Sequence, residues 1–201
     1  MKQVGLTAND WYSEPMEIRA IRPPDLDRLI DIDGTIESSS YLHVDHAGEG
    51  LAISWKLQER PLREKRIDRN QPTDEVSFLM KQLVAGAEEG IALLAEHEQI
   101  NIATLIARLD PEHQTMQVID LRIDFEHRRQ GLGSAMIYQV IAESRSREMR
   151  AVSAQTRTNN FPAAQFLAKS GFDLSGLDVR RHTNHDLVKE AATLFWYASL
   201  D

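Results

Sequence analysis

The apolar positions of this chain follow a helical period in two early stretches and a strand period in the segment after them. Residues 16–21 read as a short strand. Pro23 and Pro24 then open a helix, because proline is tolerated in a helix's first turn, and Leu26, Leu29 and Ile30 supply its apolar stripe. Gly34 stops it. Residues 35–50, rich in Ser, Gly, His and acids, read as a loop, 51–57 as a strand and 58–69 as a highly charged stretch. Val76, Leu79, Met80, Leu83 and Val84 recur at helical spacing and predict a second helix over 74–87, ending at Gly90.

From residue 91 the pattern changes to strands. Residues 91–96, 100–109 and 116–124 are separated by short polar turns, as in an antiparallel meander. A helix over 131–148 follows, with Leu132, Ala135, Met136, Gln139 and Val140 on one face. A strand at 151–155, a short helix at 162–169 stopped by Gly171, and strands at 172–179 and 193–200 complete the chain. Strands on both sides of the 131–148 helix imply an α/β (α+β) fold, a mixed and mostly antiparallel sheet flanked by helices. The expected organisation is one domain over 1–201: an N-terminal arm at 1–15, a helical insertion at 58–90 and a core at 91–200.

Composition narrows the chemistry. The absence of cysteine excludes disulfides, thiolate metal sites and a cysteine nucleophile. The N-terminal residues lack the apolar region of a signal peptide, and no stretch reaches the ~18 apolar residues of a membrane span, so a soluble, cytoplasmic protein without a membrane partner is expected. A net charge of −8 argues against nucleic acid. The charge is uneven, however. Residues 121–160 carry seven arginines against four acids, which leaves that segment three charges positive and the remainder eleven negative. A basic island in an acidic chain suggests a local anion site and a cationic partner elsewhere. Glu37, Asp45 and Glu49 are candidates to steer such a cation. The pairs His43/His46 and His182/His185 have metal-ligand spacing but no clear third ligand, and read as surface histidines; no metal is expected.

One motif is a decoy. Asp31-Ile32-Asp33-Gly34-Thr35-Ile36 spells the nucleophile motif of the haloacid dehalogenase phosphatases. That chemistry needs the motif at the end of a buried strand, whereas here it ends an amphipathic helix pattern, and the family's separate downstream lysine and acidic pair are not found.

The informative run extends from Leu121 to Ser134: an apolar strand, a tight turn containing Arg128, Arg129, Gln130, Gly131, Leu132 and Gly133, then an amphipathic helix. Unpaired N–H groups at a helix N-terminus bind anions, and glycines let a phosphate approach the backbone. Arg128-x-x-Gly131-x-Gly133 matches the Q/R-x-x-G-x-G/A signature of the GNAT acetyltransferase superfamily. Asn160-x-Pro162-Ala163 and Lys169-x-Gly171-Phe172 resemble its second block. The stretch from Gln155 to Asp178, with Phe195-Trp196-Tyr197, is similar to the streptothricin acetyltransferases.

The resemblance implies acetyl-coenzyme A as co-substrate. Its pyrophosphate would lie on the amides of 128–134, and its pantetheine arm along Leu121, Arg122 and Ile123 like an added strand. An N–H near Ile123 would polarise the thioester, and Asn160 and Ala163 would line the far side. The reaction would be acetyl transfer to the primary amine of a small molecule, an antibiotic such as streptothricin being one candidate. A protein N-terminus or lysine as acceptor, or a non-catalytic acyl-coenzyme A sensor, are the alternatives. Assembly as a homodimer stays open.

Amine attack requires removal of a proton. On an alternating strand, Val118, Asp120, Arg122 and Asp124 face away from Ile119, Leu121 and Ile123, which makes Asp120 the candidate base. The family's tyrosine acid is replaced by Leu167. Tyr138 and Tyr197 are candidates to substitute for it.

Overall fold

The computed structural model describes residues 16–200; the expected arm at 1–15 lies outside the described residues. Strand β1 (Glu17–Ala20) leads into a 3-10 helix, Pro23–Asp31, where an α-helix was expected. The Asp25 carboxylate fixes its start. It accepts the Arg22 N–H at 2.7 Å and the Arg19 guanidinium at 2.7 and 2.9 Å, while Arg19 also reaches Glu96 at 2.9 Å.

The largest departure from the sequence reading comes next. Residues 35–50 are no loop and 58–68 are not helical. Strands β2 (Ile36–Glu49) and β3 (Ala52–Asp68) form one long antiparallel hairpin, turned at Gly50 and Leu51, with Gly50 at φ 60°. Sequence signals for strands come from half-buried alternation. Much of this hairpin is solvent-exposed, so its side chains are polar while its main chain pairs regardless. The helical part of the expected 58–90 insertion is confined to α1 (Asp74–Ala85), capped by the Thr73 hydroxyl on the Val76 N–H at 3.3 Å and ended by Gly86 at φ 72°.

The remainder follows the expected order. Strands β4 (Gly90–His97), β5 (Ile100–Asp110) and β6 (Thr115–Ile123) are a meander. Helix α2 (Leu132–Ser146), strand β7 (Ala151–Arg157), helix α3 (Phe161–Lys169) and strands β8 (Asp173–Asp178) and β9 (Thr193–Ser199) complete the described chain. The main sheet has the order β1-β4-β5-β6-β7-β9-β8, and β6 with β7 is its parallel pair. Each face buries a separate core. Leu105, Met116 and Val152 pack under α2 and α3 through Met136, Val140 and Leu167. Leu94 and Ile106 pack under the 3-10 helix and α1 through Leu29, Ile32 and Met80.

The segment between the 3-10 helix and β2 is pinned to the end of β6. The Arg128 guanidinium donates through Nε to the Ile123 carbonyl at 2.9 Å, through Nη1 to the Thr35 carbonyl, and through Nη2 to the Asp33 carbonyl at 3.3 Å. The Asp33 N–H donates to the Asp124 carboxylate at 3.2 Å. Gly34 completes the seat, since a Cβ there would stand 2.8 Å from Cδ and Nε of the buried Arg122. The decoy motif is therefore a docking turn, with Asp33 closing its own Asx turn onto the Thr35 N–H at 2.9 Å.

Gly133 is a packing glycine. A Cβ would lie 2.9 Å from Ile123 Cδ1 and 3.2 Å from the Phe166 ring, so side chains of β6 and α3 pack directly on the α2 backbone there. Two predictions follow. Gly133→Val should cost about 1–3 kcal/mol from overpacking, measured by urea unfolding; an unchanged midpoint contradicts it. Arg128→Lys, unable to present three donors in a planar fork, should lose about 2–4 kcal/mol in the same experiment. Full stability of that variant would mean that the turn is held by other contacts.

Candidate acetyl-transfer site

The parallel pair β6/β7 is hydrogen-bonded over only four residues, Thr115 with Ala151 through Val118 with Ala154. Beyond that point β6 continues to Ile123 beside β5, and β7 continues to Arg157 beside β9. The two strands part, and a fork opens between them.

A bulge on β6 marks the parting. Ile106 pairs with Asp120 but Ala107 pairs with Val118, leaving Ile119 as an extra residue. It breaks the simple alternation expected for this strand. Val118 joins Leu121 and Ile123 against the α2/α3 core, and Ile119 packs instead with the core under α1 and the 3-10 helix. Asp120 and Arg122, paired across β5 with Ile106 and Thr104, remain opposite Leu121 and Ile123. The Asp124 N–H donates to the Ile102 carbonyl on β5 at 2.8 Å. Strand alternation then turns the Ile123 N–H to the other edge, into the fork.

At the mouth of the fork lies the N-terminus of α2. Arg129 at φ 63° and Gly131 at φ 85° take left-handed conformations. For arginine that costs about 1–2 kcal/mol, a strain typical of ligand-binding loops. Among the described residues, the N–H groups of Leu132, Gly133 and Ser134 meet no protein acceptor, as expected for the first turn of a helix. They form an anion cradle fit for a pyrophosphate.

The expected cofactor residues divide into several groups. Leu121, Ile123, Leu132 and Gly133 build the wall between fork and core. Arg129 and Gln130 are exposed on the turn, Gln130 donating to the Glu126 carbonyl at 3.3 Å, and Ser134 is half-buried behind them. Two assignments change. The Arg128 side chain is engaged by three carbonyls, and burial holds its guanidinium below the ordinary arginine value, so the side chain ties the turn to the rest of the protein. The Arg122 side chain lies on the opposite face, 5% exposed, and its main chain is turned to Thr104 of β5, away from the fork. Across the fork, the Asn160 side-chain oxygen caps α3 by accepting the Ala163 N–H at 3.3 Å.

The expected catalytic residues also separate. Asp120 is half-buried, its side chain 16% exposed, with Oδ1 3.4 Å from Arg122 Nη2. Burial pushes its carboxyl above the usual range, against the pull of Arg122. Neither candidate tyrosine comes to the fork. Tyr197 pairs with Ser153 where β6 and β7 are still joined, and Arg150 lies over its ring at 5.7 Å. Tyr138 is 65% exposed on the solvent side of α2. Leu167 is 5% exposed within the core. The expected acidic rim is largely paired: Glu37 with Lys65, and Asp45 with His43 and Arg60.

Sequence reasoning missed Tyr41 and Glu190, which the structure brings to the edge of the fork. The Leu42 N–H donates to the Thr158 carbonyl at 2.9 Å, and the Thr158 hydroxyl donates to the Glu190 carbonyl at 2.7 Å. No local pattern foretells contacts between residues so distant in sequence.

Residues 54–172 match the family model described as Acetyltransferase (GNAT) family. A streptothricin acetyltransferase from Streptomyces lavendulae is 23% identical over 83% of this chain and 86% of its own length. One from Escherichia coli is 29% identical over 37% of this chain, a match spanning 43% of that protein. Two solved structures share the fold at TM-score 0.74 and 18% identity. One is nourseothricin acetyltransferase, covering 92% of this chain and 99% of its own. The other is a provisionally named streptothricin acetyltransferase from Bacillus anthracis str. Ames in complex with acetyl coenzyme A, covering 94% and 99%. With a family match over more than half its length, and the forked sheet to go with it, the chain belongs to the GNAT acetyltransferase family and is an N-acetyltransferase.

Proposed function

We propose that this enzyme transfers the acetyl group of acetyl-coenzyme A to a primary amine of a small cationic antibiotic of the streptothricin class. The observation that carries the reading is the fork between β6 and β7 with the unpaired α2 amides at its mouth. The acceptor class is supported by the streptothricin acetyltransferases to which the chain is similar.

Bound at the fork, acetyl-coenzyme A supplies an activated thioester carbonyl. The residues of this chain do the rest. The amides of Leu132, Gly133 and Ser134 hold the pyrophosphate, and the Ile123 N–H stabilises the oxyanion that forms as amine nitrogen bonds to carbonyl carbon. Asp120 takes the ammonium proton, directly or through a water; its raised pKa makes it a stronger base than a surface carboxylate. The carbon–sulfur bond then breaks. With Leu167 in place of a tyrosine the thiolate leaves without that acid, which a thiol of pKa about 8.5 can do.

Thiol release from acetyl-coenzyme A, measured against streptothricin, aminoglycosides, polyamines and peptides, should show the highest kcat/KM for streptothricin. Preference for a peptide would replace the acceptor class. Asp120→Asn should lower kcat/KM by two or more orders of magnitude at pH 7. The same substitution has a stability signature of definite sign. A carboxyl whose folded pKa is raised binds its proton more tightly when folded, so wild type loses stability relative to the Asn variant as pH rises from the ordinary aspartate value through the raised one. Parallel stability–pH curves for the two proteins would mean that Asp120 is not desolvated in solution.

A further inference from the structure

Strand β3 leaves its ladder at one place. Ser38 pairs with Arg66 and Ser40 with Pro61, so residues 62–65 stand opposite Ser39 alone. Proline lacks the N–H that the next ladder bond would need, and the bulge starts there. Lys65, paired with Glu37, ties its far end. The bulged segment walls a cavity of about 490 Å³ lined by Tyr41, Pro61, Leu62, Arg63, Glu64 and Glu190.

The opposite wall belongs to the fork. Glu190 takes a left-handed conformation at φ 53°, and its carbonyl accepts the hydroxyl of the fully buried Thr158 at 2.7 Å. Thr158 follows β7 at the open end of the fork and precedes Asn160, the cap of α3. The Glu190 Oε1 stands 3.3 Å from His43 Nδ1, and the other histidine nitrogen is 3.2 Å from Asp45. The lining thus offers the Glu64 carboxylate, the Glu190 carboxylate beside His43, the Tyr41 ring and hydroxyl, and two aliphatic side chains, with Arg63 in the lining and Arg60 beside Tyr41 as the nearby arginines.

Resting on the streptothricin-class reading above, we infer that this cavity is the subsite for a second cationic group of the acceptor, one held at a distance from the amine that reacts at the fork. Carboxylates and an aromatic face are the groups that recognise an alkylammonium or guanidinium. The acceptor class follows: an extended molecule bearing at least two cationic groups, one seated here while the other reaches Asp120.

The test uses streptothricin as acceptor and compares wild type with Glu190→Gln, Glu64→Gln and the double variant. Each single substitution should raise the KM for streptothricin about two- to fivefold, a loss of order one solvent-accessible ion pair. The double variant should raise it further, and the KM for acetyl-coenzyme A should not move. Glu190→Asp should recover most of the loss. Active, folded variants with unchanged KM for streptothricin would overturn the subsite and leave the proposed reaction standing. Wild type that releases no thiol with streptothricin overturns both, and the wild-type rate tells the two failures apart.

Discussion

The arrangement of this enzyme depends on one arginine. Arg128 lies in the turn between β6 and α2, and its three donors are spent on the carbonyls of Ile123, Thr35 and Asp33. A planar guanidinium is the side chain that can bond three fixed acceptors at once. Through it the end of β6, the start of the turn into α2 and the link from the 3-10 helix to the hairpin become one rigid junction. Burial of this cation is offset by Asp33, Asp124 and Glu37, and its guanidinium lies over the Phe125 ring at 5.2 Å. The signature arginine is thus explained by what it holds in place.

Around that junction the backbone supplies most of the chemistry. A parallel strand pair that parts after four residues leaves an edge of unpaired main chain, and the bulge at Ile119 turns Asp120 toward the face opposite α2 and α3. In the proposed reaction, one side of β6 serves the acyl donor through N–H groups. The other presents a partly desolvated carboxyl on the face that the 3-10 helix and α1 cover. On that proposal, donor and acceptor meet through a single strand.

The second half of the fold was legible because its side chains report its burial. Strands β4 to β6 alternate or run apolar where they are covered on both faces, and α2 carries a clear stripe through Met136 and Val140. The hairpin was not legible, because exposed strands such as 58–68 carry charges that obey no burial pattern while their main chain pairs with β2 on either side of the 62–65 bulge. In the site, the glycines at 131 and 133 stood out, yet they act differently: Gly131 by its positive φ, Gly133 by the closeness of Ile123 and Phe166. Alternation assigned Asp120 and Arg122 to one face, as observed, but a bulge leaves no mark in sequence, so Val118 and Ile119 were assigned to the wrong faces. Tyr138 and Tyr197 were chosen for their hydroxyls, and topology sets both away from the fork.

The central claim is that the donor binds in the β6/β7 fork with its phosphates on the α2 amides. Amide hydrogen exchange of the full chain with and without acetyl-coenzyme A tests it residue by residue. Added donor should slow exchange at Ile123 and at Leu132, Gly133 and Ser134, while Tyr197 and the β8 edge keep their rates. Protection confined to the hairpin or to α1, with the α2 N-terminus unchanged, would contradict the account.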